Sequence, residues 1–129
     1  MQEPQAEGRR ALILFAHGAR DPQWAEPFRN IREQVLLLRP GLCVELAFLE
    51  LMEPDLSRCV GDLAREGVRD MTLVPLFMAQ GGHLRKDLPP MVRDLEHAFP
   101  GVRIEITPAI GESAPLLAAI AAWAAQQVR

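Results

Sequence analysis

The sequence predicts an α/β fold: a single flavodoxin-like domain of three layers around a four-stranded, mainly parallel sheet. Three observations predict it. Four short apolar runs recur along the chain, each is followed by a segment with apolar residues at helical spacing, and Gly or Pro punctuates the joints. Strands alternating with helices build parallel sheets through right-handed crossovers that leave helices on both faces. With 129 residues, 49% of them hydrophobic, the chain is sized for one core. Residues 11–129 therefore read as one domain, with Met1 to Arg10 as a disordered polar tail.

The elements follow in order. Ala11-Leu12-Ile13-Leu14-Phe15-Ala16 is a continuous apolar run, as expected of a strand covered on both faces. Asp21-Pro22 then opens a helix in which Phe28, Ile31, Val35 and Leu38 recur at steps of three and four, until Pro40-Gly41 stops it. Cys43 to Leu49 supplies a second strand. Pro54-Asp55 opens a helix that turns Leu56, Cys59, Val60 and Leu63 inward, and Gly67 closes it. Gly61 lies inside this helix, so close packing against a neighbour is expected to offset its poor propensity. Met71 to Phe77 is the third strand, and Pro75, which lacks a ladder donor, places the end of its pairing nearby. Asp87 is then expected to cap a helix with Met91, Leu95 and Phe99 every four residues, Pro89 and Pro90 falling in its first turn. Val102 to Thr107 alternates as a fourth strand. Ser113 caps a final Ala-rich helix that carries Leu116, Leu117, Ile120 and Trp123.

Bulk properties narrow the function. A net charge of −3 gives no global electrostatic case for nucleic acid or an anionic membrane as partner. No stretch approaches the roughly 20 apolar residues needed to cross a bilayer, and the polar N-terminus lacks the apolar region of a secretory signal. A cytoplasmic location is expected. Cys43 and Cys59 are too few and too far apart for a thiolate zinc site and form no C-x-x-C pair, so they read as reduced core residues. No G-x-G-x-x-G or P-loop pattern calls for an organic cofactor.

The candidate site lies where strands give out into loops. His17 follows the first strand in Phe15-Ala16-His17-Gly18-Ala19-Arg20, Glu50 follows the second, and His83 follows the third in Gly81-Gly82-His83-Leu84-Arg85-Lys86. The three are spaced by 33 residues each, about one strand-helix-loop unit, which predicts equivalent positions beyond successive strand ends. In a parallel sheet that rim is where ligands bind. Two imidazoles and a carboxylate are suitable donors for a divalent transition metal. A loop histidine also serves as a cap or a solvated side chain, and Glu50 as a solvated strand-end carboxylate, so convergence is what distinguishes the readings. Gly18, Gly81 and Gly82 either permit left-handed turns or let a flat ligand approach the backbone. Arg20, Arg85 and Lys86 flank both histidines as a cationic rim suited to carboxylates or phosphates. His97 sits in the last turn of a helix, where its charge suits the dipole, and is assigned no chemistry.

On these residues the chain resembles the short form of the sirohydrochlorin chelatases, which insert cobalt or iron into a tetrapyrrole for cobalamin or sirohaem synthesis. The resemblance rests on His17-Gly18-Ala19-Arg20-Asp21-Pro22 after the early strand, on Ala47-Phe48-Leu49-Glu50 followed by Pro54, and on Val74-Pro75-Leu76-Phe77 followed by Gly82-His83 and Asp87-Leu88-Pro89. It spans nearly everything from Ala11 to Gly111. It implies that His17 and His83 bind the metal, that Glu50 is the associated carboxylate, and that the protein is a homodimer with sites near the pairing of two half-like subunits. Ala19 departs from the serine common in the family, which puts one substrate contact in doubt.

The expected activity is insertion of a divalent ion, cobalt or iron with nickel also within reach of these donors, into sirohydrochlorin. The metal is then a substrate. Arg20, Gly81, Gly82, Arg85 and Lys86 are the expected macrocycle contacts. The rival from another class is a non-catalytic carrier of tetrapyrrole or metal, which equilibrium binding without a rate gain would favour. A histidine phosphatase ranks lower, because Ala16 stands where such enzymes need an arginine before the nucleophile.

Overall fold

The computed structural model describes residues 10–79 and 81–129, with His83 described through its backbone alone. The expected N-terminal tail falls on residues 1–9, outside the described residues, and Arg10 opens the first strand. Among the described residues one sheet forms from β1 (Arg10–Ala16), β2 (Cys43–Phe48), β3 (Asp70–Pro75) and β4 (Arg103–Ile106), in the order β2-β1-β3-β4. Every pairing is parallel. The sheet expected to be mainly parallel is therefore wholly so. The order reverses at β1, which lies between β2 and β3, and the crevice at such a switch point is the usual place for a ligand.

Alternation along β1 separates the two faces. Ala11, Ile13 and Phe15 join the larger core with Leu56, Cys59, Val60 and Leu63 of α2 (Leu56–Arg65) and with Leu88, Val92 and Leu95 of α3 (Gly82–Ala98). Ala16 and Phe48 face the other way, onto Phe28 of α1 (Glu26–Leu38). Asp55 caps α2 by accepting from the Arg58 amide at 2.8 Å. Gly67, at φ 93°, closes its end as expected. A Cβ on Gly61 would lie 3.2 Å from the Phe99 ring, so the mid-helix glycine does allow close packing.

Three expectations are corrected. Asp21 does cap a turn, but it is a 3-10 turn, Pro22–Ala25, and α1 begins only at Glu26. Within α1, Ile31 and Leu38 are exposed; Arg32 takes part of the inward stripe, donating Nε to the Val44 carbonyl at 2.6 Å. Asp87 does not cap α3. The helix starts at Gly82 with Gly81 as its cap, so Pro89 and Pro90 lie inside it. Each proline removes an intrahelical hydrogen bond and costs on the order of 3 kcal/mol. Burial of Leu88, Val92 and Leu95 offsets that loss, and both prolines are on the exposed side.

The third correction concerns α4 (Ala114–Ala125), capped by Ser113 as expected. Its large side chains do not reach the core: Leu116, Leu117, Ile120 and Trp123 are 45, 41, 48 and 65% exposed. Because the helix has no polar side opposite the apolar one, spacing alone does not orient it. It meets the rest of the chain chiefly at the 3-10 turn Ile110–Glu112. On the face that carries α1, Thr72 and Val74 of β3 are only half-buried, and Arg103 and Glu105 of β4 are exposed.

Candidate active site

The β1 ladder fixes where the site begins. Ala16 pairs with Phe48, and Phe15 with Pro75. Beyond them Leu49 donates to the Ala16 carbonyl at 2.8 Å and Leu76 to the Phe15 carbonyl at 2.7 Å. His17 is the first residue past this clamp. Its carbonyl accepts from the Trp24 indole at 2.7 Å, and its ring lies over Phe77 with centroids 4.7 Å apart. The imidazole thus stands on an apolar ring supplied by the segment that follows β3.

Glu50 closes the turn from the other side. Its Oε2 accepts from the Gly18 amide at 2.8 Å, and both oxygens lie 3.4 Å from His17 Nδ1. The two side chains are 53 and 42% exposed. A histidine–carboxylate contact so accessible contributes at most about 1 kcal/mol, whereas a hydrogen bond from an amide to a carboxylate is worth about 1.5–3 kcal/mol. The amide contact is therefore the stronger tie. It requires glycine, since a Cβ on Gly18 would sit 1.8 Å from the Glu50 carbonyl oxygen.

His17 and Glu50 are brought together as expected. His83 is not at a strand end: it lies in the first turn of α3, several residues beyond Pro75. Equal sequence spacing does not give equivalent positions, because the segment from Leu76 to Gly81 intervenes and Phe77 occupies the place opposite His17. The His83 side chain lies outside the described structure. Gly81 and Gly82 make no left-handed turn; Gly81 has φ −64° and ψ 163°, and among the described residues a Cβ on either would meet nothing beyond its chain neighbours within 4 Å. Arg20, Arg85 and Lys86 are exposed, and Arg85 Nη2 lies 3.9 Å from Glu112 Oε2. Among the described residues no group of three His, Cys, Asp or Glu is placed to hold a metal.

Several contacts were not anticipated from sequence. Trp24 and Phe77 support His17, and Gly111 packs so tightly that its Cβ would fall 1.5 Å from the Met78 carbonyl oxygen. The register Phe15–Pro75 would have pointed to Phe77; nothing in the local sequence signals the Gly111 contact. The cysteines read as core residues form no disulfide with each other. Cys59 is buried and its thiol is pushed up to about 12 by that burial, with Glu45 and Asp62 adding to it. Cys43 is only half-buried, at the edge of the core.

The rim is open. A cleft of about 430 Å³ between α2 and α3 is lined by Phe15, Leu49, Leu56, Met91 and Leu95 among others, but not by His17 or Glu50. A histidine–carboxylate pair on an open rim can exchange a proton and offer nitrogen or oxygen to an ion without enclosing it.

Such a rim on a parallel sheet with its switch point at β1 defines a doubly wound α/β protein with its candidate site at the carboxyl ends of the strands. A CbiX protein of Marinobacter aquaeolei VT8 superimposes with a TM-score of 0.81 at 36% identity, covering 92% of this chain and 97% of that one. SirB of Bacillus subtilis subspecies spizizenii, solved in complex with cobalt, shares the fold at 22% identity and a TM-score of 0.74, over 88% of this chain and 48% of its own. The CbiX family model matches residues 11–127, and the chain belongs to the CbiX family. Relatives include the sirohydrochlorin cobaltochelatases of Methanopyrus kandleri, 35% identical over 64% of this chain and 57% of theirs, and of Saccharolobus solfataricus, 31% identical over 74 and 77%. The match to the Methanopyrus enzyme thus spans under three fifths of that protein's length. Among the described residues no helix is long and apolar enough to cross a membrane.

Proposed function

We propose that this protein inserts a divalent metal ion into sirohydrochlorin. The observation that carries the reading is the His17–Glu50 pair, fixed by the Gly18 amide on the open carboxyl-end rim of a CbiX-family sheet. Cobalt is favoured by the names of the curated relatives, with iron next and nickel within reach of the same donors. The ion is a substrate, and no organic cofactor is invoked.

Insertion exchanges two pyrrolic protons for one divalent ion bound by four ring nitrogens. With its proton on Nδ1, on the side that faces Glu50, His17 has Nε2 to meet the ion or accept a pyrrolic proton. His83, on the first turn of α3, is the proposed second nitrogen donor. Glu50 orients the imidazole and offers its carboxylate to the ion or to a departing proton. An open site suits this task, because the metal must leave its protein ligands within each turnover. Arg20, Arg85 and Lys86 steer the peripheral carboxylates of the ring, which passes over Gly81 and Gly82.

We further propose that residues 11–129 act as one domain and that two copies pair in the cytoplasm. A helix apolar on all sides, such as α4, is ordinarily buried. A second copy supplies a cover, with the half-buried Thr72 and Val74 face as its complement, and adds walls to a rim that one chain leaves open.

The test is anaerobic absorbance spectroscopy of sirohydrochlorin with cobalt(II) or iron(II). A rate above the uncatalysed one is expected; binding spectra without acceleration would reassign the site to a carrier.

A further inference from the structure

Leu51 is out of place by every local criterion. It follows Glu50 directly, its φ is +70°, and it is 62% exposed. The left-handed region disfavours residues with a branched or bulky side chain and is ordinarily left to Gly, Asn or Asp. Burial does not compensate, since the side chain faces water. An apolar residue held in a disfavoured conformation and presented to solvent beside a candidate site indicates a ligand contact rather than a packing role.

Two other large apolar side chains are exposed beside residues that contact His17. Met78 is 56% exposed and adjoins Phe77, on which the His17 ring rests. Its backbone is fixed: Gly111 donates to the Phe77 carbonyl at 3.1 Å and approaches the Met78 carbonyl too closely to admit a Cβ. Trp24 is 44% exposed and donates its indole N–H to the His17 carbonyl at 2.7 Å. Leu51 follows Glu50, Trp24 is bonded to the His17 carbonyl, and Met78 follows the Phe77 ring under His17, so each adjoins the His17–Glu50 pair or the residue that supports it. The charged side chains Arg20, Arg85 and Lys86 are also exposed at this end of the sheet.

An apolar centre with a cationic fringe is complementary to a flat ring that has a hydrophobic face and carboxylates at its edge. Resting on the chelatase reading above, we infer that Leu51, Met78 and Trp24 form an apolar collar that takes one face of the tetrapyrrole and sets its centre over His17. The collar binds the ring whether or not its centre is open. It acts on affinity and on ring placement, and the metal is left to the histidines.

A macrocycle whose centre is already filled separates binding from insertion. Copper uroporphyrin is titrated into the wild-type protein and the variants L51N, M78Q and L51N/M78Q, following the shift of its strongest absorbance band. Asparagine tolerates the left-handed conformation, so L51N keeps the fold while removing the apolar contact. Each single variant is expected to weaken binding about tenfold and the pair about a hundredfold, with cobalt(II) binding unchanged. Binding by the double variant within about twofold of wild type would overturn the collar, as would a loss that tracks dissociation of a dimer in sedimentation. The chelatase reading fails separately. Collar-dependent binding without accelerated insertion removes that reading and leaves the collar as a ring-binding surface; accelerated insertion with an unchanged KM in the double variant removes the collar alone.

Discussion

Replacing Gly18 by alanine probes the contact that holds His17 and Glu50 in register. The new Cβ would start 1.8 Å from the Glu50 carbonyl oxygen and 3.0 Å from Met52 Cγ, where contacts below 3.0 Å are essentially never seen. Met52 is flexible and can yield, but the carbonyl belongs to backbone that follows β2 directly. The turn must therefore move by more than about 1 Å, which breaks the 2.8 Å bond from the Gly18 amide to Glu50. Loss of a hydrogen bond to a carboxylate gives a destabilisation of about 1.5–3 kcal/mol. Misplacing a reacting group by about 1 Å costs on the order of a hundredfold in rate. Urea unfolding measures the first and cobalt insertion the second. Gly82→Ala is the control: it lies inside α3 without a positive φ, and among the described residues its Cβ would meet nothing beyond its chain neighbours within 4 Å, so stability should hold or rise by up to about 1 kcal/mol. A G18A protein within about 0.5 kcal/mol of wild type and within about twofold of its rate would refute the reasoning.

Further outcomes follow from other contacts. Gly111→Ala would place a Cβ 1.5 Å from the Met78 oxygen and should destabilise by about 2 kcal/mol or more in the same unfolding experiment. Glu50→Gln retains an oxygen for the Gly18 amide but loses the charge beside His17, so insertion should slow about tenfold or more with little change in unfolding midpoint. The Cys59 thiol, raised by burial to about 12, should resist alkylation in the folded protein at pH 8. Because the folded state holds that proton more tightly than the unfolded chain, this contribution to stability is full below about pH 9 and is lost as pH rises through about 12, which unfolding curves across that window would record. Trp123→Lys on α4 should shift sedimentation toward the monomer, and an unchanged mass would count against pairing through that helix.

The sequence made the sheet legible because buried parallel strands are continuous apolar runs, and Ala11–Ala16 and Cys43–Leu49 show this plainly. It also placed His17 and Glu50 at adjacent strand ends, where the register from Ala16–Phe48 joins them. Even spacing misled for His83, since a count of residues cannot distinguish a strand end from a helix that begins after a six-residue connection. The start of α3 was misplaced because Pro89 and Pro90 argue for a first turn, while tertiary burial of Leu88 and Val92 carries the helix through them. The orientation of α4 was illegible for a different reason: a helix apolar on every side holds no information about which side is inward. Contacts between segments distant in sequence, Gly18 with Glu50 and Gly111 with Met78, appear only once the chain is folded.

The central claim is that His17 performs chemistry on a metal and a macrocycle. The most direct measurement is the anaerobic rate of cobalt(II) insertion into sirohydrochlorin by wild type, His17→Ala and His83→Ala, each set against the uncatalysed rate, with folding verified by circular dichroism. Acceleration by the wild type that both variants lose while remaining folded is the predicted result; near-normal turnover in the variants would contradict the account.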